Sequence, residues 1–225
     1  PKPLIHINLN KLLYNGQSFR WKWHYSNFQS QESSLLSLFN EEIKPSDNNY
    51  YLKIHYNSIY LMDLNKNFAI KLAQRNNDLY YCIDEKEIKY KLSIELFLTN
   101  MLQISINRLS LYESISKLDK KLEVLLTPHF AEDDFSNLEC TIMKLDPWET
   151  LLSFICSSNN NIARLSDMCD SLCTIGGDKL NEMIIPVYEK DPATNSNTYI
   201  KDKVEPIYAF PNSELLLKKC LDKKD

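Results

Sequence analysis

Glycine is nearly absent from this chain, with three residues in 225: Gly16, Gly176 and Gly177. Average usage of ~7% would supply roughly 16. Phosphate-cradling loops draw on clustered glycines for tight turns and close backbone approach, so a P-loop or dinucleotide fingerprint is excluded by count. Long hydrophobic runs are missing too. None approaches the ~20 residues of a membrane span, and no signal-peptide pattern opens the chain, so no membrane partner is expected. An excess of positive charge is the third absence. Lys and Arg number 26 against 30 Asp and Glu, for a net charge of −4 and a pI of about 5.7. Whole-surface attraction to nucleic acid is thereby excluded, and any nucleic-acid reading must rest on a local site.

Cysteine pairing is absent in a different sense. The six cysteines (Cys82, Cys140, Cys156, Cys169, Cys173, Cys220) form no CxxC pair, and His6, His24, His55 and His129 are scattered. Zinc needs clustered ligands, so no metal and no cofactor are expected. Reduced, mostly buried thiols in an intracellular protein fit better than a disulfide framework.

What is present is ordinary: 44% hydrophobic and 25% charged residues, in 26.4 kDa. That is room for one large or two small domains, with a core that needs no staple. The start at Pro1 and the charged run from Lys218 to Asp225 read as a piece of a longer protein.

Residues 1–90 read mainly as β. Phe19-Arg20-Trp21-Lys22-Trp23 alternates apolar and basic residues, the pattern of a half-buried strand. Tyr51–Tyr56 and Ser58–Asp63 alternate more loosely. Phe68–Ala73 and Leu79–Ile83 flank a turn-like Gln74–Asp78 and predict a hairpin. Residues 29–50 read as a surface loop or insertion. Near residue 91 the period becomes helical. Helices are predicted through Leu92–Leu102, Ile106–Ile115, Phe135–Met143, from Pro147 to Ser158, and from Ile162 to a glycine stop at Gly176-Gly177. Asp146-Pro147-Trp148-Glu149 is a strong helix start. Residues 183–206 read as a loop insertion, and a last helix begins near Pro211-Asn212-Ser213. The expected class is α+β: a sheet-containing domain over 1–140, then the start of an all-helical domain over 141–225.

Two segments carry possible chemistry. Asn15-Gly16 is a common hairpin-turn pair, and a glycine also lets a ligand approach the backbone; both readings stand on local pattern. Asn159-Asn160-Asn161 at a helix junction can be a plain connector, since asparagine suits helix ends. It can also put an amide into a base stack, with Arg164 a turn further on suited to the edge of an unpaired base. Elsewhere the plain readings win. Glu132-Asp133-Asp134 reads as a solvated face, Ser157 and Ser158 have no histidine at triad spacing, and Trp21 with Trp23 reads as sheet and core.

The segment Asn15-Gly16-Gln17-Ser18-Phe19-Arg20-Trp21 resembles the N-terminal signature of eukaryotic 8-oxoguanine DNA glycosylases. Asp146 through Arg164, with its Cys156-Ser157-Ser158-Asn159-Asn160-Asn161 core, resembles that family's longest internal motif, and Tyr208-Ala209-Phe210-Pro211 a third block. Order and spacing agree, with an interruption at 178–206. The resemblance implies a TATA-binding-protein-like twisted antiparallel sheet followed by a helix-hairpin-helix glycosylase domain. It implies a monomeric enzyme of the nucleus, with mitochondria as a second location, acting on double-stranded DNA that carries 8-oxoguanine paired with cytosine and nicking the abasic strand by β-elimination. Gly16 matches the glycine whose carbonyl meets the lesion. Asn159 matches the residue that fills the vacated stack, Arg164 an arginine that reads the orphaned cytosine, and Asn160 and Asn161 lie within the same DNA-binding motif. The family's catalytic lysine and aspartate have no match in this chain, so no catalytic residue is assigned. The alternative reading is a non-catalytic DNA-binding or interaction fragment of the same family.

Overall fold

The structure is a computed structural model that describes residues 7–27, 51–75, 78–132, 141–190 and 197–222. A four-stranded antiparallel sheet of order β1-β2-β3-β4 organises the first half, with β1 at Lys22–Asn27, β2 at Tyr51–Leu61, β3 at Lys66–Arg75 and β4 at Asp78–Cys82. The β3–β4 hairpin is as predicted, with Arg75 opposite Asp78. Its connecting Asn76-Asn77, the proposed insertion at 29–50, Asp133-Asp134 of the acidic run and Cys140 lie outside the described residues.

One face of the sheet carries Ile59, Leu61, Phe68, Ile70 and Leu72. They pack with Leu9, Leu12 and Leu13 of a short helix α1 (Leu9–Leu13) and with Ile94, Leu98 and Met101 of α2 (Lys91–Met101). The opposite face carries Tyr56 and Ala69, and these meet Met183, Ile185 and Ile207. Strand β2 is therefore covered on both sides, and Ile54 through Ile59 are all buried. A strand covered twice has no reason to alternate, which explains the loose pattern in its sequence.

The element covering the second face corrects the loop expected over 183–206. Lys179–Lys190 (β5) and Asn197–Tyr208 (β6) form a long antiparallel hairpin. Its prolines misled the reading. Pro186 pairs with Asp202 and Pro206 with Glu182, in a two-stranded ribbon where each strand is an edge and a missing N–H is tolerated. Residues 191–196 lie outside the described residues.

Helices α3 (Arg108–Ser116) and α4 (Lys120–Glu132) follow α2. The latter was not anticipated, because Pro128 sits inside it. The helix expected over 135–143 is not seen in its described part: residues 141–146 have no regular structure. Helix α5 (Pro147–Ser157) begins as the sequence requires, with Pro147 in its first turn and Asp146 Oδ1 accepting from Glu149 N at 2.8 Å. Helix α6 (Ile162–Gly176) and α7 (Ser213–Leu221, capped by Asn212) complete the chain. Gly177 does end α6, yet with φ −92° it needs no left-handed geometry. It is needed for space, since a Cβ there would lie 1.9 Å from Ala209 O. The α+β class is borne out.

Candidate functional site

The three motifs of the sequence converge on Arg20. The start of the first strand lies later than expected, at Lys22, and Arg20 turns inward rather than alternating outward: it is 6% exposed, while Trp23 is 45% exposed with Lys53 Nζ 4.1 Å from its ring centre. Arg20 Nε donates to Glu149 Oε1 at 2.9 Å and Nη2 to Glu149 Oε2 at 2.6 Å, a two-pronged pair. Nη1 donates to Ser58 Oγ at 3.0 Å, and Phe210 lies 5.2 Å from the guanidinium carbon. Burial alone would lower the pKa of Arg20; the Glu149 carboxylate outweighs it and the net shift is upward. Glu149 stands where a capping-box glutamate would reach back to the helix start, but its carboxylate is taken by Arg20. The third motif is tied to the second as Trp148 Nε1 donates to Pro211 O at 2.9 Å.

The two segments joined by this pair each carry a further feature. The first is the Asn15-Gly16 turn. It is a turn, as the sequence reads, and it joins α1 to the strand region. Gly16 holds φ +88°, Asn15 Oδ1 accepts from Gln17 N, and a Cβ on Gly16 would meet nothing within 4 Å. Glycine is thus needed for backbone conformation, and the space beside it is open. That space is a cleft of about 890 Å³ whose walls include Gly16, Phe19, Ile142, Leu151, Phe154 and Ser157. Leu151 and Phe154 are 51% and 73% exposed, whereas Ser153 faces the interior at 6%. Helix α5 therefore turns apolar side chains outward into the cleft.

The second feature is the turn at the far end of that wall. Ser157 lines the cleft, and Asn159 follows in the left-handed conformation with φ +52°. The asparagines divide the work. Asn160 Nδ2 donates to Cys156 O at 3.1 Å and its Oδ1 accepts from Asn161 N; Asn161 Oδ1 accepts from Arg164 N at 2.9 Å and caps α6. Asn159 and Arg164 are exposed, and neither side chain is bonded among the described residues. Gly16 thus lies across the cleft from the helix whose following turn carries Asn159, Arg164 stands in the first turn of α6, and Asn160 and Asn161 shape the turn between the helices.

Neither of the two buried thiols among the described residues is prepared as a nucleophile. Burial pushes Cys173 up to about 11 and raises Cys169 as well. Cys82 and Cys156 are half-buried and Cys220 is exposed. No group of three or more His, Cys, Asp or Glu gathers to hold a metal among the described residues, and no described helix is long and apolar enough to cross a membrane. Sequence reading missed Gln17, Glu149 and Phe154 as site-forming residues. A basic residue inside an apolar stretch was the available signal for the Arg20–Glu149 pair.

Fold and site define an α+β protein with a glycine-edged apolar cleft that runs along one helix to an asparagine turn. In sequence the chain is similar to two curated N-glycosylase/DNA lyases. It is 25% identical to the N-glycosylase/DNA lyase of Saccharomyces cerevisiae over 190 residues, which are 84% of this chain and 42% of that protein. It is 33% identical to N-glycosylase/DNA lyase OGG1 of Arabidopsis thaliana over 109 residues, 48% of this chain and 27% of that protein. The chain spans less than half the length of these curated relatives. Among solved structures, 3-methyladenine DNA-glycosylase from Archaeoglobus fulgidus aligns with a TM-score of 0.40 and 13% identity, over 73% of this chain and 47% of that one. No protein-family model matches.

Proposed function

We propose that this chain is the DNA-reading part of a base-excision repair N-glycosylase that removes 8-oxoguanine opposite cytosine and carries abasic-site β-lyase activity in the whole protein. The observation that carries the reading is the cleft along α5, with Gly16 at one wall and Asn159 just past its far end. 8-Oxoguanine bears a hydrogen on N7 where guanine has a lone pair. A held Gly16 carbonyl accepts from the first and repels the second, a difference of about 1–3 kcal/mol in a dry pocket. Extruding the base costs a few kcal/mol. Asn159 fills the vacated stack and offsets part of that, and Arg164 reads the cytosine left behind.

The chemistry itself is assigned to no residue of this chain. Lys144 lines the cleft and is exposed, whereas amine nucleophiles of imine chemistry are typically desolvated or set beside another cation. That observation favours, as a second reading, a DNA-binding unit without its own chemistry. The test is binding of the chain to duplexes with 8-oxoguanine or guanine opposite cytosine, together with borohydride trapping. Tighter binding of the lesion duplex with no trapped adduct is expected. Equal affinities refute the lesion reading, and a trapped adduct refutes the assignment of the chemistry elsewhere.

A further inference from the structure

Resting on the reading that the cleft takes the damaged base, we infer that Gln17 is a positioning residue for base discrimination: its side-chain amide locks the Gly16 turn and the Ile142 wall into one geometry. Gln17 Nε2 donates to Thr141 O at 2.7 Å, and Gln17 Oε1 accepts from Met143 N at 2.7 Å. The amide uses a donor and an acceptor at once, pairing with the backbone on either side of Ile142 as a neighbouring strand would. This grip holds residues 141 and 143 toward Gln17. Ile142 is left turned away, 77% exposed and on the cleft wall.

The same residue closes the turn on the other side. Gln17 N donates to Asn15 Oδ1 at 3.1 Å, and beside Gly16, on the side where a side chain would stand, nothing lies within 4 Å. Its carbonyl is therefore set by the bonds that flank it. The 141–144 segment is in turn backed by the interior: Arg108 Nε donates to Thr141 Oγ1 at 2.9 Å, and Lys144 N donates to Met101 O at 3.0 Å. Gln17 is thus the link from a backed segment to a glycine turn that is open on its cleft side. A carbonyl that distinguishes N–H from a lone pair works only within hydrogen-bond range, roughly 2.7–3.2 Å. A turn free to drift outside that window loses the distinction.

The test uses Gln17→Leu and Gln17→Glu in the 225-residue chain. It reads the ratio of affinities for duplexes with 8-oxoguanine and guanine opposite cytosine, hydrogen exchange at the Met143 amide, and the melting temperature. For Gln17→Leu the ratio falls about tenfold, the order that a lost pair of neutral hydrogen bonds supports, while affinity for the undamaged duplex holds and Met143 exchanges faster. In Gln17→Glu the carboxylate still accepts from Met143 N but opposes Thr141 O. The ratio is low at neutral pH and recovers as the carboxyl protonates, because the acid O–H then donates to Thr141 O. The wild-type ratio does not rise on the same acidification. A merely structural role moves the melting temperature and both affinities together and gives no rescue at low pH. An undiminished ratio in Gln17→Leu, or unchanged Met143 exchange, overturns the inference. A wild-type ratio near one overturns the lesion reading itself, and with it this role, before any variant is compared.

Discussion

Arg20 and Glu149 are 129 positions apart in sequence and joined by two parallel hydrogen bonds, so the first motif of the chain is pinned to the first turn of α5. Their side chains are 5% and 19% exposed. Removing one partner of such a pair leaves the other charge poorly solvated and costs about 3–5 kcal/mol. Arg20→Met is expected to lower the melting temperature by roughly 6–20 °C for a chain of this size. Lys at this position would keep the charge and lose the fork, with an intermediate effect. Differential scanning calorimetry measures both, and a melting temperature within a degree or two of wild type refutes the clamp.

His55 supplies a pH dependence next to the glycine turn. It is 2% exposed, and its Nδ1 lies 3.0 Å from the hydroxyl of Tyr14, the residue before Asn15. Burial, with the charges of Lys53 and His24, lowers its pKa from 6.5 to about 4. The folded state thus resists protonation while the unfolded state accepts it. Stability is full above pH 6.5 and falls as the pH drops from there toward about 4, by on the order of 3 kcal/mol. Urea unfolding at pH values across that window, on wild type and His55→Gln, isolates this share. The wild-type decline should exceed the variant's; identical slopes refute it.

The β5–β6 hairpin is expected to behave as core. Met183 is 1% exposed and packs on Tyr56 and Ala69, while Val204 of β6 is 54% exposed. Met183→Ala should cost about 2–4 kcal/mol, and Val204→Ala within about 0.5 kcal/mol, by urea denaturation. Equal small effects would return the segment to the status of an insertion.

These cases mark how far the sequence carries. Local chemistry was legible: Asp146 and Pro147 start α5, Asn212 caps α7, and the β3–β4 hairpin follows from its alternation and turn. Elements whose form depends on partners were not. Alternation predicted an exposed Arg20, and its distant partners Glu149, Ser58 and Phe210 explain its burial. β2 lost its period because the hairpin covers its second face, and the hairpin itself was hidden by Pro186 and Pro206. For the site, Gly16, Asn159 and Arg164 stood out as residues, but the outward apolar face of α5 that runs between them is a matter of packing.

Arg164 is exposed in the first turn of α6, its backbone N–H held by Asn161. Arg164→Ala leaves that cap in place. It should narrow the preference for cytosine over adenine opposite the lesion by about 1–3 kcal/mol, the worth of a bidentate base contact. Affinities for the two duplexes measure the ratio, and an unchanged ratio argues against base reading.

Asn159 gives the sharpest test, because its backbone and its amide make separable contributions. It follows Ser158, the C-cap of α5, in the left-handed region at φ +52°, a position where asparagine and glycine are favoured. Alanine there would add roughly 1–2 kcal/mol of backbone strain, so a loss in Asn159→Ala mixes turn and contact. Asn159→Gly keeps the conformation and removes only the amide, which has no bond among the described residues to lose. If Asn159 fills the stack left by the extruded base, Asn159→Gly should keep its melting temperature. It should bind the lesion duplex about tenfold to a hundredfold more weakly, equivalent to 1–3 kcal/mol. Affinity for undamaged duplex, set mainly by phosphate contacts, should hold. A helix-end role predicts the reverse order: Asn159→Ala melts lower, Asn159→Gly behaves as wild type in every assay, and lesion affinity follows stability. Measuring both variants on both duplexes separates the two, and wild-type lesion affinity in Asn159→Gly would leave Asn159 as a turn residue alone.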